Sequence, residues 1–584
     1  MFSTLRPTSV GRTATLVCLA TLLGACASTT NQRASGQTAA LDLPDANKVR
    51  ELASAPAPDV DISEIAGPIA VERWELVAPL PTTIGHAPLT SSKSWEQGFA
   101  ELVNDTDNTV RSEASACVAR QYGHYYAAND RWPDQELKTF IAARCGWIGG
   151  NFASTALRVT DNRSLDQIAA QFTDHIASFL ESSRKAIDGP MDAAFNVERI
   201  GDATIATLVA GERTVTLKPR PITFDERGTI EGRVENPRYN LVQAYIGDGP
   251  LGARACERDP AARFPNFRFH CGGDSQTEPQ GRAYVEFSLD VRDQLFSELG
   301  GTTLLVSDPD ELRYVSATAS VPATSEGSSP TERLAAQINA FRERAKLTPV
   351  AFSQPQSKTL NDLLPHMLAA QSDDDESLFS LLTLAAIAGW DIDSPILSGD
   401  FTMRVTAHND PVRTMATLLT SPSARHMLFD ADLSHIAMAS SQQEGATSLL
   451  LTGYKRVPGL TGEQLVARAL NTLNSAREAA GNRPVVDSGN YQQAATLLSG
   501  AVAQGKGTPA EATDRIVNAM ARNLETEVRY WTLPTDNLDD FTIPEELITA
   551  RALRATVFAA PYQHPDDPWS IYRVVIMYAK GDIR

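Results

Sequence analysis

Histidines, acidic runs and cysteines are the residues of this chain whose chemistry needs weighing first. Four of its nine histidines, His366, His408, His426 and His435, fall in one stretch. A zinc ion would need several neutral imidazoles converging at about 2.0–2.1 Å. No His-x-x-x-His pair occurs, so these read as scattered core and surface histidines. Asp373-Asp374-Asp375-Glu376 lacks the ligand spacing and turn glycine of a calcium loop. It reads as a solvated acidic loop, as do Asp391-x-Asp393 and Asp536-x-x-Asp539-Asp540. Gly500 to Gly505-Lys506 spaces like a phosphate loop, but Gly507 stands where a Ser or Thr would hold magnesium. There is no Gly-x-Ser-x-Gly elbow and no His-Glu-x-x-His. The expectation is therefore no catalytic residue, no metal ligand and no cofactor.

The six cysteines divide by position. Arg6 and Arg12 supply a positive start, and Ala14 to Leu23 is an apolar run too short to span a bilayer, which takes about 20 apolar residues. It ends in Leu23-Gly24-Ala25-Cys26, which resembles the bacterial lipobox. That resemblance implies a signal peptide over 1–25, cleavage before Cys26, a diacylglyceryl thioether on its sulfur and acylation of the new amine. Several acyl chains, at about 0.8 kcal/mol per buried methylene, would anchor the product stably. Ala27 and Ser28 follow without an Asp, which by the same resemblance favours the outer membrane, with the body facing the periplasm or the cell surface. Beyond Cys18 and Cys26 remain Cys117, Cys145, Cys256 and Cys271. An even number in an oxidising compartment points to two disulfides, 117–145 and 256–271, each inside one apparent domain. A zinc site is the competing idea, without a Cys-x-x-Cys spacing to support it.

Positioning elements follow from period and composition. The chain has 584 residues and a formal net charge of −19. Such a surface repels phosphates, so nucleic acid is not an expected partner. Residues 26–94, rich in Ala, Ser, Thr, Pro, Asp and Gln, read as a lipidated N-terminus and flexible tether. From 95 to 195 the period is helical; Phe99, Leu102 and Val103 open one face, and Ile168, Phe172, Ile176 and Phe179 make another. From 196 to 325 the period is two. Val285, Phe287 and Leu289 face one way and Tyr284, Glu286 and Ser288 the other, as in a β-sandwich. The fold class expected is multidomain α+β.

The remaining chain reads as two copies of one unit, 326–456 and 457–584. The first holds Asn339-x-x-Arg342 then Pro349-Val350; the second holds Asn474-x-x-Arg477 then Pro484-Val485. Each ends in two strand-like runs: His435 to Ala439 and Ser448 to Thr452, then Ala555 to Ala559 and Ile571 to Met577. Gln337 through Val350, and Leu418 to Arg425 followed by His435-Ile436-Ala437-Met438-Ala439, resemble the CAP superfamily of cysteine-rich secretory, antigen 5 and pathogenesis-related proteins. That resemblance covers 331–456 well and 462–580 weakly, and implies α–β–α sandwich (SCP) domains.

Departures from the family pattern bear on function. Bacterial members place a Glu and a His where this chain has Pro422 and Ala424, as part of a two-His, two-Glu cluster lining a cleft. The Gly-Glu-Asn stretch is missing too, with Gly399-Asp400-Phe401 its nearest candidate. The second copy has His564 as its only histidine. The reading is a degenerate, non-catalytic binding or adhesion module of the cell envelope, taking an envelope protein, a peptide, a lipid or a glycan. A peptidase or cell-wall hydrolase with a site this sequence does not advertise is the alternative, which clustering of His366, Asp400 and His426 within hydrogen-bond reach would revive, and a structural envelope role a third. Trp569 with Tyr572, and Trp531 with Pro534 and Phe541, read as strand anchors or as exposed recognition edges.

Overall fold

The computed structural model describes residues 46–66, 68, 71–85, 87–89, 94–149, 152–160, 163–187, 189–223, 228–248, 252–272, 281–292, 297–317, 329–373, 375–388, 396–408, 410–443, 445–457, 459–487, 528–535, 537–563 and 570–579. Cys26, the signal-like segment, Gly500–Gly507, His564 and Trp569 lie outside them. The chain is a multidomain α+β protein. It divides into two compact units, one holding Val49–Ile387 and Asp400–Gly453, the other holding Tyr454–Arg584. Both expected disulfides are formed, Cys117–Cys145 and Cys256–Cys271.

The expected tether over 26–94 needs correcting. Helices α1 (Ala46–Ser54) and α2 (Ile62–Ala66) and strands β1 (Arg73–Glu75) and β2 (Thr83–Ile84) occupy part of it. Strand β1 pairs with residues 313–315 and β2 with residues 220–221, and Leu76 and Ile84 are buried. The proline-rich stretch between the strands is held by side chains from elsewhere. Gln121 donates to the Val77 carbonyl at 2.7 Å and accepts its N–H at 2.9 Å; Arg120 donates to the carbonyls of Ala78 and Pro79. Arg144 reaches the Pro81 carbonyl at 2.8 Å. Backbone groups without a ladder of their own are thus satisfied over long range, which composition cannot reveal.

Module 1 follows: α3 (Trp95–Asn104), β3 (Thr109–Val110), α4 (Glu113–Asn129), α5 (Gln135–Cys145), β4 (Phe152–Val159), α6 (Leu165–Gln171), α7 (Thr173–Ala186), β5 (Met191–Ile200) and β6 (Ala203–Glu212). The helices expected over 95–195 are present, and the structure adds a sheet of order β3-β5-β6-β4 to them, running past 195 to Glu212. Trp95, Phe99, Ile168, Ile176 and Leu180 pack on one face of it, against Phe195, Ala206 and Leu208. Helix α4 covers the other face. A Cβ on Gly123 would meet Thr207 Oγ1 at 2.8 Å, so the glycine permits that approach. The Cys117–Cys145 bridge ties α4 to α5.

The β-sandwich holds β7 (Val215–Leu217), β8 (Arg220–Pro221), β9 (Thr229–Val234), β10 (Tyr239–Asp248), β11 (Gly252–Ala255), β12 (Glu257–Arg258), β13 (Asn266–His270), β14 (Arg282–Val291), β15 (Ser297–Val306) and β16 (Arg313–Val315). Its sheets run β11-β10-β14-β15 and β12-β13-β9-β7. Val285, Phe287 and Leu289 are buried as the alternation predicts, and Phe287 meets Phe267 of the opposite sheet with ring centroids 5.7 Å apart.

Module 2 contains α8 (Pro330–Arg344), β17 (Ala351–Phe352), α9 (Gln354–Ser372), α10 (Glu376–Ala388), β18 (Ile396–Thr406), α11 (Pro411–Leu418), α12 (Pro422–Phe429), β19 (His435–Gln443) and β20 (Ala446–Arg456). Module 3, in the second unit, contains α13 (Gly462–Ala479), β21 (Val486–Asp487), β22 (Val528–Thr535), α14 (Glu545–Thr549), β23 (Arg554–Gln563) and β24 (Ser570–Ala579). Their sheets run β17-β19-β20-β18 and β21-β23-β24-β22. In all three modules a two-residue first strand pairs in parallel with the third strand, and the second and third strands flank the fourth. Two copies were legible in the sequence; the topology repeats three times.

Modules 2 and 3 also share a fastening. Arg342 is fully buried and donates from Nε to the Thr348 carbonyl at 2.8 Å and from Nη1 to those of Leu428 and Asp430. Arg477, equally buried, donates to the carbonyls of Arg483, Leu547 and Ala550. Asn339 Oδ1 accepts from Val350 N and Asn474 Oδ1 from Val485 N, both at 2.8 Å. The Asn-x-x-Arg pattern is thus a structural clamp between the opening helix, the loop that follows it and the end of a later helix.

Candidate functional site

The residues that the CAP resemblance would place in a cleft, Pro422 and Ala424, lie at the start of α12. Ser421 caps this helix, its hydroxyl accepting from Ala424 N at 3.3 Å, and Pro422 occupies the first turn, where no N–H is needed. Pro422, Ser423 and Ala424 are all buried. What covers them is the β-sandwich. Glu286 of β14, only 4% exposed, accepts from Ser421 Oγ at 2.7 Å, Ser423 N at 2.8 Å and Ser423 Oγ at 2.6 Å. A carboxylate at a helix start takes up orphan N–H groups and suits the local field. Tyr245 of β10 stacks near His426 with ring centroids 5.0 Å apart. A Cβ on Gly247 would collide with the Arg425 guanidinium, so that glycine makes room for it.

Charge is concentrated behind this joint. Burial lowers the pKa of Arg404 on β18, an effect opposed mainly by Glu136 and Glu286. Burial raises the carboxyl of Glu136, opposed by hydrogen bonds from Ala317 N at 2.7 Å and Ser316 Oγ at 3.0 Å. This is an internal polar joint between module 2, the sandwich and α5. The Glu286 contacts fasten the start of α12 to the sandwich.

The residues weighed for a hydrolytic alternative sit on three different elements. His366 lies in the buried face of α9, its pKa lowered by burial. Asp400 lies on β18 and accepts from Phe401 N at 2.7 Å. His426 lies on α12 against Tyr245. His435 begins β19, opposite Ala351, with its Nδ1 2.9 Å from Ser434 Oγ. Among the described residues no three His, Cys, Asp or Glu side chains form a group that could hold a metal ion. Asp375 of the acidic loop caps α10, accepting from Leu378 N at 2.9 Å. Tyr572 and Phe541 are core residues of module 3, whereas Trp531 on β22 is 38% exposed and donates from Nε1 to Glu546 at 2.6 Å.

Sequence reasoning missed Glu286. Alternation put it on the face opposite the sandwich core, where a charged residue normally meets water. The one available signal was the composition of that face: Tyr284, Glu286 and Ser288 surround a single carboxylate with hydroxyl groups.

Among solved structures, an extracellular protein containing an SCP domain from Bacillus anthracis is similar to this chain, at 15% identity and a TM-score of 0.16, covering 38% of this chain and 76% of that one. A cysteine-rich secretory protein from Staphylococcus aureus is similar at 10% identity and a TM-score of 0.16, covering 44% of this chain and 85% of its own. No protein-family model matches the chain, and no curated protein matches it.

Proposed function

We propose that this chain is an exported protein of the bacterial envelope, anchored by lipid on Cys26 in the outer membrane, whose CAP-like modules bind rather than catalyse. The observation that carries the non-catalytic part is the seal over α12. Where the family places acid and base, this chain has Pro422 and Ala424, buried beneath the Glu286 contact. Two disulfides support an oxidising compartment. Attachment is assigned to the lipid on the resemblance of Leu23-Gly24-Ala25-Cys26 to the lipobox. The ligand class is an envelope protein, peptide, lipid or glycan, bound on a surface other than the sealed one.

Fractionation of cells expressing the full chain tests the anchor. The native chain is expected in the membrane pellet and the Cys26→Ser chain in the soluble periplasmic fraction; a Cys26→Ser chain that still pellets overturns it. For the non-catalytic part, the purified chain is assayed on peptidoglycan and on unfolded protein substrate. No turnover is expected, and turnover abolished by His366→Ala or Asp400→Ala reverses the reading.

A further inference from the structure

Each module ends its sheet on the same topological edge, at β18, β22 or β4, and the three edges are treated differently. Strand β18 is buried along most of its length. Strand β22 carries Pro534, which has no N–H to offer a further strand. Among the described residues, strand β4 has neither device. It pairs with β6 in unbroken register from Phe152 opposite Gly211 to Val159 opposite Thr204, and none of its eight residues is fully buried. Its single charge is Arg158, and Leu157 is 43% exposed. Beside it runs an apolar groove lined by Thr155, Leu157, Phe172, His175, Ile176 and Leu208. A long edge whose one charge, Arg158, sits near its end is a template for another strand.

We propose that β4 pairs with β4 of a second copy of this chain, antiparallel about a two-fold axis, so that two module 1 sheets become one. Residues opposite each other across such a seam share a face, which places the axis on a residue. With the axis at Ala156, Leu157 of one copy lies opposite Thr155 of the other, over the groove, and the reverse holds by symmetry. Arg158 then lies opposite Ser154, and the two Arg158 residues are four positions apart along the seam, about 13 Å. No like charges oppose each other. The exposed leucine and the groove are therefore complementary parts of one self-matching edge. The pairing does not require the lipid; where the proposed anchor holds, confinement to one surface raises the effective concentration.

The test uses the full chain carrying Cys26→Ser, which separates this result from the anchoring question. Ala156→Cys places two thiols at the axis, and Lys218→Cys on the sandwich serves as control. A disulfide-linked dimer is expected for Ala156→Cys and none for Lys218→Cys, with a dimer mass by light scattering for the parent chain. Adding Leu157→Lys is expected to lower the linked fraction about tenfold, with far-UV dichroism confirming the fold. A monomer at every concentration, with no link through the thiol introduced on β4, overturns the proposal. So does an Ala156→Cys chain that links in cells to a different protein, which would make β4 the seat of a foreign strand.

Discussion

Modules 1 and 2 reach one topology by different fastenings. In module 2 the opening helix is locked by Arg342, a fully buried guanidinium spread over carbonyls of the loop after α8 and of the end of α12. The opening helix of module 1 carries no arginine. This helix, α3, is tied to the end of β3 by Glu96 and Arg111, 3.3 Å apart, with the Arg111 guanidinium 5.6 Å from the Phe99 ring centroid. The first turn of α4 is instead held by Asp192 of β5, which accepts from Ser112 Oγ at 2.5 Å and Ser115 Oγ at 2.9 Å. Module 1 also has the Cys117–Cys145 staple, where module 2 has no cysteine. Sheet order is therefore the invariant, and the polar fastening is replaceable.

That comparison breaks most easily at the arginine. Arg342→Met strands three carbonyls, that of Leu428 in the interior, and is expected to cost about 3–5 kcal/mol. Arg477→Met should cost as much in module 3, read as a denaturant midpoint shift; a loss under about 1 kcal/mol would make the clamp incidental. The next effect is a pH dependence in module 1. Burial pushes the Asp192 carboxyl up to about 6, against the opposing serine hydrogen bonds. A raised folded-state pKa gives a stability contribution that is full below the unfolded value near 4 and is lost as pH rises through about 6. Asp192→Asn should remove that decline, up to about 3 kcal/mol between pH 4 and pH 7. An unchanged pH profile would remove Asp192 from the account. Smallest is Arg111→Ala, a partly exposed pair expected to cost about 1 kcal/mol in thermal unfolding. A loss as large as that at Arg342 would make the two fastenings equivalent after all.

Much of this was readable before any coordinates, and the unread part has physical causes. Alternation along 283–289 and the pairing of four cysteines come from local pattern. Asn339-x-x-Arg342 and Asn474-x-x-Arg477 were visible as a repeat because one long side chain does the same work twice. Module 1 was hidden because Glu96 and Arg111 perform that work from other positions. Its strand β5, Met191–Ile200, is buried on both faces over most of its length, so it shows no alternation. Strands β1 and β2 are too short to carry any period. Glu286 was placed on the correct face of its strand, yet what covers that face comes from a helix over a hundred residues away, and no local signal encodes it.

The distribution of the two covalent bridges has a consequence for biogenesis. Both lie before Gly272, and every residue from there to the C-terminus is free of sulfhydryl groups. The later modules can mature in any redox setting, whereas the leading half depends on an oxidase. A host strain lacking thiol oxidation would thus yield a chain whose tail resists protease and whose front does not.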